Sequence, residues 1–240
     1  MRRPTLLFAL AAALAAAVCV SLEARTQRVS FRTADGVTIA ATWFEPSFRP
    51  APAVILVHML GRSRQDWDDA ASRLAGAGIG ALALDLRGHG DSSGGGGTEG
   101  SADHSVLIRD IEAARRYLST RSDAQPSRIG LAGASMGANL VALQAAADAG
   151  VASLALLSPS LDYRGLRIEA AVRKYGSRPI LLVVSDEDAY ARRSAADLKK
   201  AGGGIRELLT LSGAGHGTTM LGRAPELTPA LVAWFQRTLQ

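Results

Sequence analysis

The sequence is poor in cysteine and in aromatic residues, and both shortages narrow the classes of protein that it can encode. Cys19 is the only cysteine among 240 residues, and it lies in an apolar run near the N-terminus. The rest of the chain therefore has neither a disulfide nor a thiol nucleophile, and an oxidising compartment poses no difficulty for it. Aromatic residues make up 5% of the chain and hydrophobic residues 48%, so the core must be mainly aliphatic.

The sequence also lacks the patterns of a nucleic-acid-binding or metal-binding protein. The net charge is +5 and the pI is about 9.9, but no basic run is interleaved with aromatic residues, and we expect no nucleic-acid partner. No histidine–carboxylate spacing indicates a metal. The glycine run at 94–97 lacks the Gly-Lys-Ser/Thr of a phosphate-binding loop. We therefore expect neither a metal nor another cofactor.

An apolar run near the N-terminus has the composition of an export signal. Arg2 and Arg3 precede an unbroken apolar stretch at 6–20, which is too short and too rich in alanine for a typical membrane span. We predict a signal peptide over 1–24 and a secreted or periplasmic mature domain over 25–240, with no stable membrane insertion after cleavage. The cleavage site is poorly marked, and an uncleaved anchor helix is the alternative.

Short apolar runs alternate with helical patterns along the rest of the chain. Alternation of polar and apolar residues on both sides of Asp35-Gly36 predicts a β-hairpin at 26–32 and 37–44. Continuous apolar runs predict buried strands at 53–57, 79–84, 128–132, 151–157, 179–185 and 205–211. Helices are predicted at 65–77, 106–118, 139–149, 191–201 and 225–239, with a short one at 166–174. This order predicts an α/β fold, with a mainly parallel sheet, helices on both faces and antiparallel N-terminal strands.

A Gly-x-Ser-x-Gly pattern at Gly133, Ser135 and Gly137 stands where a predicted strand meets a predicted helix. In such a turn the serine hydroxyl is held clear of the sheet, and the glycines let strand and helix pack closely. The serine would also lie at a helix N-terminus, where free N–H groups favour negative charge. The pattern predicts a nucleophile at Ser135, although a plain tight turn of small residues has the same pattern.

A serine nucleophile needs a base within hydrogen-bond reach and an acid that orients the base. Carboxylates follow the strand predicted at 179–185, and His216 follows the last predicted strand in a Gly-Ala-Gly-His-Gly segment. The carboxyl ends of parallel strands meet at one edge of a sheet, where ligands bind. We therefore expect Ser135, an acid and His216 to come together at that edge.

Taken together, these motifs resemble the α/β-hydrolase superfamily over residues 29–239. The resemblance rests on the Gly-x-Ser-x-Gly turn, on Asp85-Leu-Arg-Gly-His-Gly-Asp-Ser, on the Gly-His-Gly end and on the chain order serine, acid, histidine. It implies an α/β-hydrolase fold, and the short connection at 159–178 implies that no cap domain is present. Similar hydrolases place the acid last in a Gly-x-x-Asp turn, which corresponds to Asp188 here, with Asp186 as the alternative.

The resemblance also implies an oxyanion hole made of the backbone N–H groups of Leu60 and Met136. The family commonly has His-Gly-x after this strand, whereas this chain has His58-Met59-Leu60. A methionine fits there only if the backbone does not need a positive φ. His58 and His89 are expected to shape the loops around the hole, and His104 is expected in an exposed loop.

The expected function is hydrolysis of a small-molecule carboxylic ester through an acyl-enzyme. Ser135 would be the nucleophile, His216 the general base and Asp188 the acid. The resemblance is nearest to small esterases and dienelactone-hydrolase-like members. Dienelactone hydrolases use a cysteine where this chain has a serine, so their substrate class is not carried over. A serine peptidase of the same fold and a non-catalytic binding protein on a hydrolase scaffold are the alternatives.

Overall fold

A computed structural model describes residues 25–94 and 104–239 of the protein. Its main sheet consists of β1 (Thr26–Arg32), β2 (Thr38–Phe44), β3 (Ala51–Val57), β4 (Gly80–Leu84), β5 (Ala124–Ala134), β6 (Val151–Leu157), β9 (Ile180–Ser185) and β10 (Arg206–Leu211). A separate small hairpin consists of β7 (Asp162–Tyr163) and β8 (Leu166–Arg167). The signal peptide predicted over 1–24 lies outside the described residues and stays a prediction.

The α-helices lie mostly between the strands. They are α1 (Asp68–Gly76), α2 (Ile108–Thr120), α3 (Met136–Ala147), α4 (Glu169–Tyr175), α5 (Ala189–Lys200), α6 (Thr219–Arg223) and α7 (Leu227–Thr238). Short 3-10 helices at Arg64–Trp67 and His104–Leu107 lead into α1 and α2. In the part of the chain that the structure describes, no helix is both long enough and apolar enough to cross a membrane.

The sheet has the strand order β1-β2-β4-β3-β5-β6-β9-β10. β1, β2 and β4 pair antiparallel, whereas all pairs from β4 to β10 are parallel. The predicted mainly parallel sheet with antiparallel N-terminal strands is therefore confirmed. The chain goes from β3 outward to β4 and then returns to the other side of β3 as β5. This reversal makes β3 and β5 the switch point of the sheet, and sheets of this kind bind ligands in the crevice at the carboxyl ends of the strands there.

Helices cover both faces of the sheet because the central strands are apolar on both sides. In β3, Ile55 and Val57 belong to one buried cluster, and Val54 and Leu56 belong to the other. Side chains of α2, α3, α4 and α5 complete the first cluster, and side chains of α1, α6 and α7 complete the second. The predicted arrangement of helices on both faces is therefore confirmed.

The connection between β6 and β9 differs in detail from its prediction. The helix predicted at 166–174 is wrong in its first part, because Leu166 pairs with Tyr163 in the β7–β8 hairpin. The turn between them has positive φ at both Arg164 (48°) and Gly165 (91°), which is typical of a two-residue hairpin turn. Helix α4 begins only at Glu169. The fully described stretch at 158–179 thus holds this hairpin and one short helix.

The exposed position predicted for His104 is also wrong. The side chain is buried, with 4% of the residue exposed, at the start of the 3-10 helix that leads into α2. Its ring lies edge-on to the ring of Tyr163, with 6.1 Å between the ring centroids. Packing against the β7–β8 hairpin therefore covers a residue that the local sequence places in a polar loop.

A buried ion pair between Arg64 and Asp85 fastens the loop after β4. The side chains are 4% and 0% exposed. Asp85 also accepts the backbone N–H of Arg64 at 2.7 Å and that of Asp91 at 2.9 Å. Gly90 lies so close that a Cβ there would be 2.1 Å from Oδ2 of Asp85. The carboxylate therefore joins the start of the helical segment after β3 to the loop after β4, beside the switch-point crevice.

Replacing Arg64 with methionine should destabilise the protein by about 3 kcal/mol, because it leaves the buried Asp85 carboxylate without its counter-charge. The measurement is the free energy of unfolding from guanidinium titrations. The matched control is Arg73→Met, which breaks an ion pair with Asp69 whose side chains are 60% and 68% exposed and should cost less than about 1 kcal/mol. Equal effects of the two changes would contradict this account.

Candidate active site

Ser135 lies at the turn between β5 and α3 with backbone angles φ 52° and ψ −115°, a conformation that serine rarely adopts. The flanking glycines are needed for close packing. A Cβ at Gly133 would lie 2.3 Å from the carbonyl oxygen of Gly137, and one at Gly137 would lie 2.5 Å from that of His58. Helix α3 begins immediately after the serine. The structure thus has the predicted order of strand, sharp turn and helix, with the serine hydroxyl at the helix N-terminus.

His216 lies between Ser135 and Asp188. Its Nε2 is 2.8 Å from Oγ of Ser135, and its Nδ1 is 2.5 Å from Oδ2 of Asp188. An ionised carboxylate only accepts hydrogen bonds, so the partners assign the proton to Nδ1 and leave Nε2 to accept from the serine hydroxyl. In this tautomer the imidazole can take the serine proton while the carboxylate stabilises the resulting imidazolium. The structure brings together the three side chains predicted for this chemistry.

The two candidate acids have different hydrogen-bond partners. Asp188 contacts the histidine through Oδ2 and accepts an N–H of the first turn of α5 through Oδ1. Asp186 instead accepts the N–H of Gly213 and the hydroxyl of Ser212, both at 2.9 Å. The bond from the Gly213 N–H, and after it that from the Ser212 hydroxyl, holds the pKa of Asp186 below its ordinary value. Asp188 is therefore placed to orient the base, whereas Asp186 anchors the segment that leads to it.

The histidine loop, residues 212–219, is fastened by side chains of neighbouring segments. The N–H of Ala214 donates to Oγ of Ser185 at 3.1 Å, at the end of β9. The hydroxyl of Thr218 donates to the carboxylate of Asp66 in the helical segment after β3. The loop that carries the base is thus tied both to the strand of the acid and to the segment beside the predicted oxyanion hole.

The loop after β3 accommodates Met59 without strain. The described non-glycine residues with positive φ are Ser135, Ser158 and Arg164. Met59 is not among them, so its backbone does not have the positive φ that would exclude a methionine. The positive φ of this loop, 71°, falls on Gly61. Leu60 lies on this loop, and Met136 opens α3, where the first N–H groups have no helical partner. Both predicted oxyanion donors therefore belong to the two segments that flank the switch-point crevice.

Two histidines connect this loop to the loop after β4. His58 accepts the N–H of Leu86 at Nε2, at 3.0 Å, and its Nδ1 donates to the carbonyl oxygen of Met59, at 2.7 Å. His89 accepts the N–H of Gly61 at Nε2, at 3.2 Å. Both side chains therefore bind loop backbone, which is the shaping role that the sequence predicts for them.

Burial keeps His58 neutral. Removal from water, helped by the neighbouring His89, lowers the pKa of the His58 imidazole to about 4. The hydrogen bonds require this state, because one ring nitrogen must accept while the other donates. A proton added to Nε2 would face the N–H of Leu86 and break the link between the two loops.

Asn139 is a structural member of the site that the sequence predictions missed. It lies one turn along α3 from Ser135, and its Nδ2 donates to the carbonyl oxygens of Ser160 and Leu166, both at 2.8 Å. Its Oδ1 accepts the N–H of Ser160 at 3.1 Å. This buried amide holds the β6–β9 connection against the nucleophile helix. An asparagine in the first turn of a mainly apolar helical run was the available signal.

Ser135, His216 and Asp188 are each partly exposed to solvent. The His216 side chain is 51% exposed, and that of Asp188 is 16% exposed. Among residues 25–94 and 104–239, no group of three or more histidine, cysteine, aspartate or glutamate side chains is arranged to hold a metal ion. The hydrogen bonds of the described arrangement are those needed for nucleophilic attack by Ser135 with proton transfer to His216.

Comparison with known proteins identifies the family. The profile of the family described as serine aminopeptidase, S33, matches residues 49–180, which is more than half of the chain. The chain belongs to this family. The matched region contains the loop after β3 and the Ser135 turn. It ends before Asp188 and His216, whose contacts with the Ser135 turn come from the structure.

Solved structures share the fold at low sequence identity. The dienelactone hydrolase of Anabaena variabilis has a TM-score of 0.77 and 20% identity, covering 91% of this chain and 100% of its own. The esterase Pf2001 of Pyrococcus furiosus has a TM-score of 0.71 and 18% identity, covering 90% and 94%. DcsB, solved with a substrate analogue, has a TM-score of 0.78 and 16% identity, covering 90% and 99%. The S33-family protein thus has the α/β-hydrolase fold that the sequence predicts.

Curated relatives match over part of their length. The uncharacterized proteins MT2364 and Rv2307c, from two strains of Mycobacterium tuberculosis, are each 34% identical to the chain over 133 residues. The match covers 55% of this chain and 44% of each relative. The chain therefore spans less than half the length of these relatives, and their names state no activity.

We expect His58 to remain neutral with its proton on Nδ1 down to about pH 4, because burial opposes its ionised form. Its pKa is about 6.5 when exposed. Its stabilising contribution is therefore present in full above about pH 6.5 and is lost as the pH falls towards 4, by about 3 kcal/mol over that range. Long-range ¹H–¹⁵N spectra of the imidazole groups measure the tautomer and the titration. A His58 ring that titrates near pH 6.5 would contradict the prediction.

Asp188→Asn should slow the reaction of Ser135 with a fluorophosphonate probe by about 10⁴-fold, because asparagine stabilises neither the required tautomer nor the imidazolium. Asp186→Asn is the matched control two residues away, and it should cost less than about tenfold because the amide oxygen still accepts the Gly213 N–H. The measurement is the second-order labelling rate at neutral pH. A larger loss with Asp186→Asn would assign the acid to that residue instead.

Proposed function

We propose that this S33-family protein is a serine hydrolase that cleaves carboxylic esters of small molecules through an acyl-enzyme. The observation that carries the proposal is the continuous hydrogen-bonded chain from Ser135 through His216 to Asp188, with distances of 2.8 Å and 2.5 Å. These three hydrogen-bonded side chains lie at the switch point of a parallel sheet, where ligands bind. The positive φ of the serine is the kind of strain found at functional positions.

In the first half of the proposed reaction, the Ser135 hydroxyl loses its proton to Nε2 of His216 while Oγ bonds to the ester carbonyl carbon. The carbonyl oxygen becomes an oxyanion, and the backbone N–H groups of Leu60 and Met136 are the proposed donors to it. Collapse of this intermediate breaks the bond to the alcohol oxygen. The alcohol leaves with the proton held on Nε2, and the acyl group stays on Ser135.

In the second half, water attacks the acyl carbon while His216 accepts one of its protons. The second tetrahedral intermediate collapses by breaking the bond to Oγ of Ser135, which takes the proton back from Nε2. The products are a carboxylic acid and the regenerated enzyme. Asp188 keeps its negative charge throughout and stabilises the imidazolium in both halves.

Ester cleavage is favoured by the openness of the site. The half-exposed base and the short β6–β9 connection leave room for a small ester, and proteins of the same fold include esterases. The family description favours a second candidate, a serine aminopeptidase that cleaves amide bonds of short peptides. The two reactions use the same residues, so the substrate test must separate them.

The test is labelling of the purified protein with a fluorophosphonate, followed by assays with p-nitrophenyl esters of graded acyl length and with aminoacyl-p-nitroanilides. We expect stoichiometric labelling, turnover of short esters, and loss of both in Ser135→Ala and His216→Ala, because either change removes part of the nucleophile–base pair. Preferred turnover of the anilides would favour the aminopeptidase. Folded wild-type protein that never reacts would favour a binding protein on a hydrolase scaffold.

A further inference from the structure

We propose that Ser158 is a positioning residue for the general base. Its hydroxyl accepts the N–H of Gly217, at 3.0 Å. This bond fixes the position of the neighbouring His216 between the nucleophile and the acid. The proposal rests on the proposed function for its kinetic consequence. Its geometric consequence can be measured without a substrate.

Ser158 follows β6, which lies between the strand of the nucleophile and the strand of the acid. The carbonyl oxygen of Leu157 accepts the N–H of Ser135 at 2.8 Å. The N–H of Ser158 donates to the carbonyl oxygen of Val183 at 2.8 Å. One dipeptide at the end of β6 therefore holds the nucleophile through a carbonyl group and the histidine loop through a hydroxyl group. Its own backbone is anchored to β9.

The backbone of Ser158 is strained. Its φ is 49°, and the residue is 1% exposed. Glycine adopts this conformation at lower cost than serine does. What serine adds over glycine here is an oxygen that accepts the Gly217 N–H, which would otherwise lack this acceptor at a buried contact. Such strain persists where the surrounding structure compensates for it, and it is concentrated at functional positions.

Gly217 also lies close to Met59 and Ser135. A Cβ at this position would lie 2.5 Å from Sδ of Met59 and 3.6 Å from Cβ of Ser135, and the φ of the residue is 59°. Met59 therefore fills the space beside Gly217, and the hydrogen bond to Ser158 is a second restraint on the loop. Movement of Gly217 would shift His216, and a displacement of about 1 Å can lower a rate by about a hundredfold.

The first arm of the test compares the kinetics of Ser158→Ala and Ser158→Gly with those of the wild type. Both variants should lower kcat for a p-nitrophenyl ester by about 10- to 100-fold with KM unchanged, because the base is misplaced while the binding surface is intact. Ser158→Gly should unfold at a temperature no lower than that of Ser158→Ala, because glycine relieves the positive φ. A residue with a merely structural role would show activity that follows stability, with Ser158→Gly close to wild type.

The matched control is Ser153→Ala. Ser153 lies on β6, the strand that Ser158 follows, is fully buried, and has its hydroxyl 2.7 Å from that of Thr238. Its replacement removes a partly buried hydrogen bond of a serine hydroxyl at a place away from the histidine loop. This variant should keep the wild-type kcat even where it loses stability. A fall in kcat equal to that of the Ser158 variants would overturn the proposal.

The second arm measures the low-field NMR resonance of the Nδ1 proton that His216 donates to Asp188. The resonance should shift or broaden in both Ser158 variants and stay unchanged in Ser153→Ala. It reports the geometry of the base whether or not any ester is cleaved, so failure of the proposed function would not hide the result. If Ser158→Ala does not fold, Ser158→Gly provides the same comparison. An unchanged resonance together with kcat within twofold of wild type would overturn the proposal.

Discussion

The close approach of helix α3 to the end of β3 sets the spacing on which the site depends. A Cβ at Gly137 would lie 2.5 Å from the carbonyl oxygen of His58 and 2.6 Å from that of Val57, so only glycine allows this contact. The contact holds the start of α3, with Ser135 and Met136, against the loop that carries Leu60. Because β3 and β5 are neighbours in the sheet, backbone contact alone fixes how far apart these two segments lie.

Around that contact, side chains form the hydrogen bonds that backbone groups of sheet and helix form elsewhere. The loops at the carboxyl ends of the strands lie outside the regular hydrogen-bond ladders of sheet and helix, yet their buried N–H and C=O groups still need hydrogen bonds. Asp85, Asn139 and Ser185 accept or donate these bonds, and the neutral His58 joins two loops through its two ring nitrogens. The polar residues buried near the crevice are therefore the framework that keeps the reacting groups in place.

Most of the fold could be predicted because its signals are local. The continuous apolar runs give the parallel strands, and the Gly-x-Ser-x-Gly pattern gives the sharp turn at Ser135. The burial of His104 could not be predicted, because it depends on contact with Tyr163 in a distant hairpin. Spacing also could not decide between Asp186 and Asp188, since both follow the same strand. Only the direction of each carboxylate in three dimensions distinguishes the one that contacts His216.

The sequence distance between the members of the site also bears on how the chain folds. Ser135 and His216 are 81 residues apart, and Gly217 lies 59 residues beyond Ser158. Contacts of such long range form late, after the entropy of closing large loops has been lost. During synthesis the serine turn can form as soon as β5 and α3 have emerged, but its base arrives only with the segment after β10. In a nascent chain, Ser135 thus lacks its hydrogen bond to His216 until the segment after β10 has emerged.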